Sequence, residues 1–196
     1  MKKAILVSAS AVVIAVGLVV GLPGAHSAQS INATKFNIDE SHAAIYFRIT
    51  HLGMSYTYGR FNEVSGSILI GAGATSFDLA AMTASIDTNN DKRDKHLRNA
   101  DFFNAKQFPS ITFKGTGTQS DGDVLHMTGE LHLHGITRSV PINLKKMGEG
   151  KDPWGNYRIG YATEFTIKRS DYGMDSMLGS IGDEVDIMVS FEGIRE

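Results

Sequence analysis

Short segments in which apolar and polar residues alternate make up most of the chain after residue 36. In one of them, Ile45, Phe47 and Ile49 fall on one face of an extended strand, and the residues between them fall on the other face. Residues that favour turns, mainly glycine, aspartate and serine, separate the segments. The pattern predicts an all-β chain, with further strands at 67–70, 78–86, 110–114, 124–128, 129–134, 139–144, 157–168 and 185–191 and turns at 71–73, 120–123, 148–155 and 171–173.

The predicted strands have to cover their apolar faces, either by closing into a barrel or by stacking as two sheets. The segment 157–168 alternates over its whole length, which is typical of a strand with one face in water and the other facing an interior. Closure leaves no unpaired edge and an interior that holds one small ligand. We therefore expect a single antiparallel up-and-down barrel. Periodicity alone leaves a β-sandwich open as the alternative.

One long connection interrupts the pattern, and we interpret it as a short helical insertion between strands around residues 88–108. Charged residues at 91–95 and 98 predict a solvated face. Connections of this length are more often functional than structural, so we expect the apolar side to face a cavity. That apolar side consists of Leu97, Phe102, Phe103 and Phe108.

The N-terminus is typical of a secretory signal peptide. Two lysines precede an apolar stretch at 4–22, and Pro23 with several small residues follows it. We predict a signal peptide at 1–28, a mature domain at 29–196 and a periplasmic or secreted location in a bacterium. An uncleaved membrane anchor is the alternative, which the serines and the glycine within the stretch disfavour.

Composition narrows the class of protein further. Removing residues 1–28 from the 196 leaves 168, enough for one domain with an ordinary apolar core. The two lysines of the removed segment change the formal charge from −2 to about −4, which argues against nucleic acid as a partner. There is no cysteine, so an exported chain has no disulfide to stabilise it. We interpret residues 32–34 as part of a solvated N-terminal arm.

Histidines are the main candidates for site chemistry. His132 and His134 are two apart on a predicted strand, so both would face one side and could bind zinc, with His126 on the preceding strand as a third ligand. His42, His51 and His96 offer acid–base groups, but the sequence has no nucleophile motif to accompany them. We therefore expect no metal site, no catalytic residues and no enzyme.

Five segments in order carry a more specific signal: IDESHAAIYFRITHLGMSYTYGRF, ASIDTNNDKRDKHLRNADFFNAKQFPSITF, GELHLHGITRSVPINL, DPWGNYRIGYATEFTIKRSDYGM and IGDEVDIMVSFEG. In these segments the sequence resembles the YceI-like family of polyisoprenoid-binding proteins. His134 matches the family pattern, whereas His132 stands where a threonine or similar residue is usual. This departure weakens the zinc hypothesis.

The resemblance implies a lipocalin-like barrel with an elongated apolar cavity, in exported bacterial proteins that are often dimeric. It implies that the protein sequesters or transports a polyisoprenoid, a quinone-like lipid or a fatty amphiphile, without a further cofactor and with transient membrane contact for lipid exchange. Each buried methylene contributes about 0.8 kcal/mol, so ten supply about 8 kcal/mol before ordering costs. Two alternatives remain: a stress-related interaction protein with a structural cavity, and a lipid-modifying or zinc-dependent enzyme.

The residues that we predict to contact the ligand are of two kinds. Some lie in the segments that match the family, and others are apolar residues that we expect to face inward or, like methionine, to adapt to the shape of the ligand. A few polar groups at the mouth would orient the ligand head, and the rest would contact its tail. The predicted set is Phe47, Ile49, His51, Phe61, Met82, Arg93, His96, Leu97, Phe102, Phe103, Phe108, Phe113, Phe165, Met174, Met177 and Leu178.

Overall fold

A computed structural model describes residues 33–196, so the predicted signal peptide at 1–28 lies outside the described residues. None of the helices in this range is long and apolar enough to cross a membrane. The one α-helix, α1, spans Asp91–Leu97, and short 3-10 turns lie at Glu40–His42, Thr83–Ser85 and Arg169–Tyr172. The strands are β1 Thr34–Ile38, β2 Ala44–His51, β3 Ser55–Phe61, β4 Val64–Ile70, β5 Thr75–Met82, β6 Ile86–Asp87, β7 Ser110–Asp121, β8 Val124–Leu133, β9 Ile136–Lys151, β10 Tyr157–Lys168 and β11 Ile181–Arg195.

Eight of these strands form a closed antiparallel barrel. From β4 through β5, β7, β8, β9 and β10 to β11, each strand pairs with the next, and β1 pairs with both β4 and β11 to complete the circle. The prediction of an antiparallel barrel is confirmed, and the β-sandwich alternative is wrong. The prediction of a solvated N-terminal arm that includes Thr34 is wrong, because Thr34 begins strand β1, which closes the barrel.

Strand β11 has a different partner at each end. Its residues 193–195 pair with β1, whereas 181–190 pair with β2. Strand β2 continues into the hairpin partner β3, and β3 pairs with β6 through Arg60 and Phe61. These three strands and α1 therefore extend the wall at one end of the barrel, where β5, β8 and β10 also end.

Strand β8 corrects the predicted strand boundaries. The segments 124–128 and 129–134 are one continuous strand, and Gly129 continues it because the Phe113 ring covers the position that a Cβ would need. The chain reverses instead at His134 and Gly135, whose φ values of 52° and 79° suit a tight hairpin turn. His134 therefore sits in a turn and not on a strand face beside His132.

The insertion begins with a capped helix. The side-chain oxygen of Asn90 accepts a hydrogen bond from the Arg93 backbone N–H at 3.0 Å. Asp94 is buried and accepts hydrogen bonds from the Thr88 N–H at 2.9 Å and from the Thr88 hydroxyl. Its prediction as part of a solvated face is wrong, because the backbone leaving β6 needs a buried acceptor. Arg98 likewise binds the insertion to the barrel by donating to two carbonyls of residues 84–86.

Candidate functional site

An apolar cavity of about 420 Å³ occupies the barrel interior. Aromatic rings fill one end: Phe77 lies 5.3 Å from Tyr161 and 6.2 Å from Phe191, measured between ring centroids. The opposite end holds lining residues that are also exposed, among them His51 and Met177, which mark the mouth. The arrangement leaves a pocket with an aromatic end and a solvent-exposed mouth, a shape that suits a molecule with an apolar tail.

Most of the predicted contact residues line this cavity. The hairpin β2–β3, the insertion, β7, β10 and the loop before β11 bring them together from distant parts of the chain. The thirteen residues in the lining are Phe47, Ile49, His51, Phe61, Arg93, His96, Leu97, Phe102, Phe103, Phe113, Phe165, Met174 and Met177.

Three predicted residues lie outside the cavity lining. Met82 follows the inward-facing Ala81 by one position, so the strand period turns it outward, and 42% of it is exposed. The Phe108 ring packs against His134, with ring centroids 4.8 Å apart. Leu178 is 41% exposed in the loop before β11. These three positions show that apolar character alone does not place a side chain inside the barrel.

Sequence reasoning missed many wall residues that alternation in the predicted strands would have found. Examples with the correct parity are Leu131 on β8, Ile142 on β9 and Ile187 on β11. Arg169 is different, because it is a charged residue in the 3-10 turn after β10 and no local pattern indicates that it is buried. The remaining missed residues are Ile45, Thr50, Thr57, Phe77, Leu79, Ala80, Ala81, Thr88, Ile111, Thr112, Met127, Leu133, Leu144, Thr163, Ile167, Ile181, Val185, Val189 and Phe191.

The insertion shapes one side of the mouth through aromatic and polar contacts. The Phe103 ring packs edge-on against Phe61 at 5.6 Å, and the His96 ring packs edge-on against Phe102 at 5.0 Å. Arg93 donates from Nε to the Thr88 hydroxyl at 2.7 Å and from Nη2 to the Thr88 carbonyl at 2.6 Å. The helix therefore presents a fixed guanidinium and a histidine next to apolar rings.

A family model described as "YceI-like domain" matches residues 36–193, which include the whole barrel apart from the ends of β1 and β11. The chain belongs to the YceI-like family. "Protein YceI" of Escherichia coli O6:H1 is 41% identical over 175 residues, which cover 87% of this chain and 92% of that protein.

Two solved structures share the YceI-like fold. BcnA of Burkholderia cenocepacia superposes with a TM-score of 0.71 at 20% identity, covering 79% of this chain and 98% of that one. A domain of Saccharophagus degradans, described as polyisoprenoid-binding and implicated in plant cell wall breakdown, gives a TM-score of 0.67 at 17% identity. It covers 82% of this chain and 98% of its own. These likenesses confirm the lipocalin-like barrel.

Within residues 33–196, each of the three histidines of the zinc hypothesis has a different partner. His132 Nδ1 lies 2.9 Å from the Thr137 hydroxyl, and His134 Nδ1 lies 3.0 Å from the Tyr172 carbonyl oxygen in the 3-10 turn after β10. His126 Nδ1 lies 2.8 Å from the Asn143 side chain. The prediction that His132 and His134 face the same side of one strand is therefore wrong, because His134 lies in the turn at 134–135.

In the described part of the chain, the side chains close enough to share a metal ion are Asp39, His42 and Glu192. The guanidinium of Arg158 already lies among these groups. Its Nη1 donates to Asp39 at 2.6 Å and to Glu192 at 3.0 Å, and its Nε donates to Asp152 at 2.8 Å. The cluster is thus an ion-pair network in which one guanidinium bridges three carboxylates and joins the 152–156 turn to β10 and β11.

Hydrogen bonds within this network hold two carboxyl groups ionised. The Ser41 side chain and then Arg158 lower the pKa of Asp39 far below its ordinary value. Arg158, followed by Asn156, lowers the pKa of Asp152 to about 2. A lowered carboxyl pKa stabilises the fold above the unfolded value of about 4, and this contribution is lost as the pH falls through the folded value.

We expect Arg158→Met to lower the melting temperature at pH 7 by several degrees, because it leaves three carboxylates close together without their cation. The difference from the parent protein should shrink between about pH 4 and about pH 2, where the carboxylates become protonated. Thermal melts from pH 2 to 8 measure this. Arg60→Met is the control, since its ion pair with Asp87 is exposed and 3.7 Å long. A difference that is constant with pH would contradict the account.

Proposed function

We propose that this YceI-like protein binds one long-chain amphiphile, with the tail inside the barrel and the head at the mouth. The observation that carries the proposal is the cavity of about 420 Å³, which is lined mainly by apolar side chains and filled by aromatic rings at its far end. Such a volume is typical of small-molecule sites. The polyisoprenoid-binding description of the Saccharophagus degradans domain supports an isoprenoid as the first candidate.

Burial of the tail supplies the binding free energy in this proposal. Ten methylenes contribute about 8 kcal/mol before ordering costs, without any charged anchor. The wall offers apolar contact over nearly its whole surface, so its chemistry favours binding over catalysis. The protein would accordingly sequester or transport its ligand, and an isoprenoid, a quinone-like lipid and a fatty amphiphile share the tail chemistry that the wall accepts.

Lipid extraction tests the proposal directly. The protein is purified from a bacterial host without detergent, extracted with organic solvent and analysed by mass spectrometry. We expect a long-chain amphiphile in an amount comparable to the protein. Absence of any lipid in repeated preparations, together with no binding of isoprenoid or fatty probes, would favour the alternative of an interaction protein whose cavity is only structural.

We also propose that the protein acts outside the cytoplasm and takes up its ligand at a lipid surface. The signal-peptide pattern of residues 1–28 supports export. Exposed apolar side chains beside the mouth support membrane contact: Leu52, Met54 and Met177 are 52%, 85% and 53% exposed. The Leu52 N–H donates to the Ser180 carbonyl at 2.7 Å, which holds the β2–β3 turn against the loop before β11. The homodimer implied by the family stays a prediction.

Met54→Asp should slow the transfer of ligand from vesicles about tenfold, because it removes apolar contact with the bilayer and adds a charge that bilayers repel. Affinity for the ligand in detergent solution should stay unchanged, since Met54 is outside the cavity lining. Stopped-flow transfer of a fluorescent fatty probe measures the rate. Met147→Asp is the matched control, because Met147 is 62% exposed on β9, beyond the closed end. Equal transfer rates for both variants would refute uptake through this rim.

A further inference from the structure

Arg169 is a buried cation in the wall of the cavity. It is 4% exposed, it begins the 3-10 turn after β10, and it lies at the mouth end with Met174 and Met177. Its guanidinium donates to four backbone carbonyls of the segment 174–182. The donor–acceptor distances are 2.8 Å to Gly182, 2.5 Å to Met174, 2.8 Å to Ser176 and 3.2 Å to Ile181.

These carbonyls satisfy four of the five N–H groups of the guanidinium but carry no net charge. Within residues 33–196, no carboxylate lies within 4 Å of Arg169. The Asp183 carboxylate accepts from the Ser170 N–H at 2.9 Å and from its hydroxyl at 2.8 Å, so Asp183 and Asp175 act on Arg169 only from a greater distance. Burial accordingly lowers the pKa of Arg169.

Among the described residues, the cavity wall carries formal charge of one sign only. Its lining residues include Arg93 as a second cation, and within the described range they include no aspartate or glutamate. An unpaired charge in an apolar site is costly, and a ligand that brings the opposite charge removes this cost. A phosphate or carboxylate would also accept the remaining N–H of Arg169 in a charge-assisted hydrogen bond.

We propose that Arg169 is the counter-charge for an acidic head group, so that the cavity selects anionic amphiphiles over neutral ones with the same tail. The inference rests on the proposed function, because it needs the tail to lie inside the barrel. The head then lies at the mouth beside Met174 and Met177, and the tail runs toward the ring of Phe77. Phosphate and carboxylate share the required chemistry, and the ligands used in the test distinguish them.

The test compares ligands that share a tail and differ in the head. Dissociation constants are measured for farnesyl phosphate against farnesol, and for oleate against oleyl alcohol, by titration of the full protein. We expect each acidic ligand to bind at least about tenfold more tightly than its alcohol. The larger of the two preferences identifies phosphate or carboxylate as the natural head. Equal affinities within both pairs would overturn the inference and leave tail binding intact, whereas failure of all four ligands would refute the proposed function itself.

Two substitutions locate the charge that is responsible. In Arg169→Met the preference should disappear, so that each acid and its alcohol bind within about twofold of each other, and Arg169→Lys should keep most of the preference because it keeps the cation. Arg93→Met should keep the preference. If the alcohols also bind poorly to Arg169→Met because the 174–182 segment loosens, the Lys variant and the parent protein decide the outcome. A preference that disappears in Arg93→Met and persists in Arg169→Met would overturn the assignment.

Discussion

Leu131→Trp should weaken binding of the amphiphile about a hundredfold while the barrel stays folded. Leu131 is 6% exposed, lies on β8 and lines the cavity. The larger indole would occupy space that the tail needs. Loss of about four methylenes of contact corresponds to about 3 kcal/mol, which is roughly two powers of ten in the dissociation constant. The cavity volume gives the indole room, so the cost of overpacking a filled core is reduced.

The measurement is a titration with a fluorescent fatty or prenyl probe, together with circular dichroism and a thermal melt. Thr128→Trp is the matched control, because Thr128 lies on the same strand with its side chain exposed outside the barrel. We expect the control to bind like the parent protein. Undiminished binding by a folded Leu131→Trp protein would mean that the tail does not lie in the barrel.

Phe77→Ala should both destabilise the protein and lengthen the cavity. Phe77 is 2% exposed and packs edge-on against Tyr161 and Phe191 at the closed end. Removing a buried phenylalanine side chain costs about 3–5 kcal/mol of unfolding free energy. The space it leaves continues the cavity, so the variant should prefer a longer tail than the parent protein does.

Denaturant unfolding measures the first effect, and a series of fatty acids from C12 to C22 measures the second. Phe36→Ala separates them, because Phe36 is 3% exposed, packs on Tyr157 with ring centroids 6.4 Å apart and does not line the cavity. Both variants should lose comparable stability, and only Phe77→Ala should shift the preferred length. The same shift in both would show that general loosening, and not the cavity end, sets the length.

Much of the barrel was predictable because alternation in a strand is local. Ile45, Phe47 and Ile49 share one face in a period of two, as predicted, and all three line the cavity, although only Phe47 and Ile49 were in the predicted contact set. The same rule explains why Met82 lies outside, since a residue next to the inward-facing Ala81 has to face the other way. Predicted contact residues that followed strand parity were therefore placed more reliably than those chosen for apolar character.

Turns and the ends of strands were harder to predict. Gly129 suggested a break, but in the structure it allows the Phe113 ring to lie across a continuous strand. Residues 32–34 suggested a solvated arm because nothing local shows that Thr34 begins a strand, β1, with two neighbouring strands to pair with. In both cases the neighbouring residues that decide the structure are distant in sequence, so a prediction from local residue preferences could not include them.

By itself, the sequence determined the class of fold, the family and the apolar wall, because period-two burial and the order of the five blocks are properties of the chain alone. Only the tertiary structure decided which charged side chains are buried. Asp94 is buried because the backbone at Thr88 needs an acceptor there, and Arg169 is buried because four carbonyls of a folded loop converge on it. The energy of a charge depends on its three-dimensional surroundings, which local sequence patterns do not record.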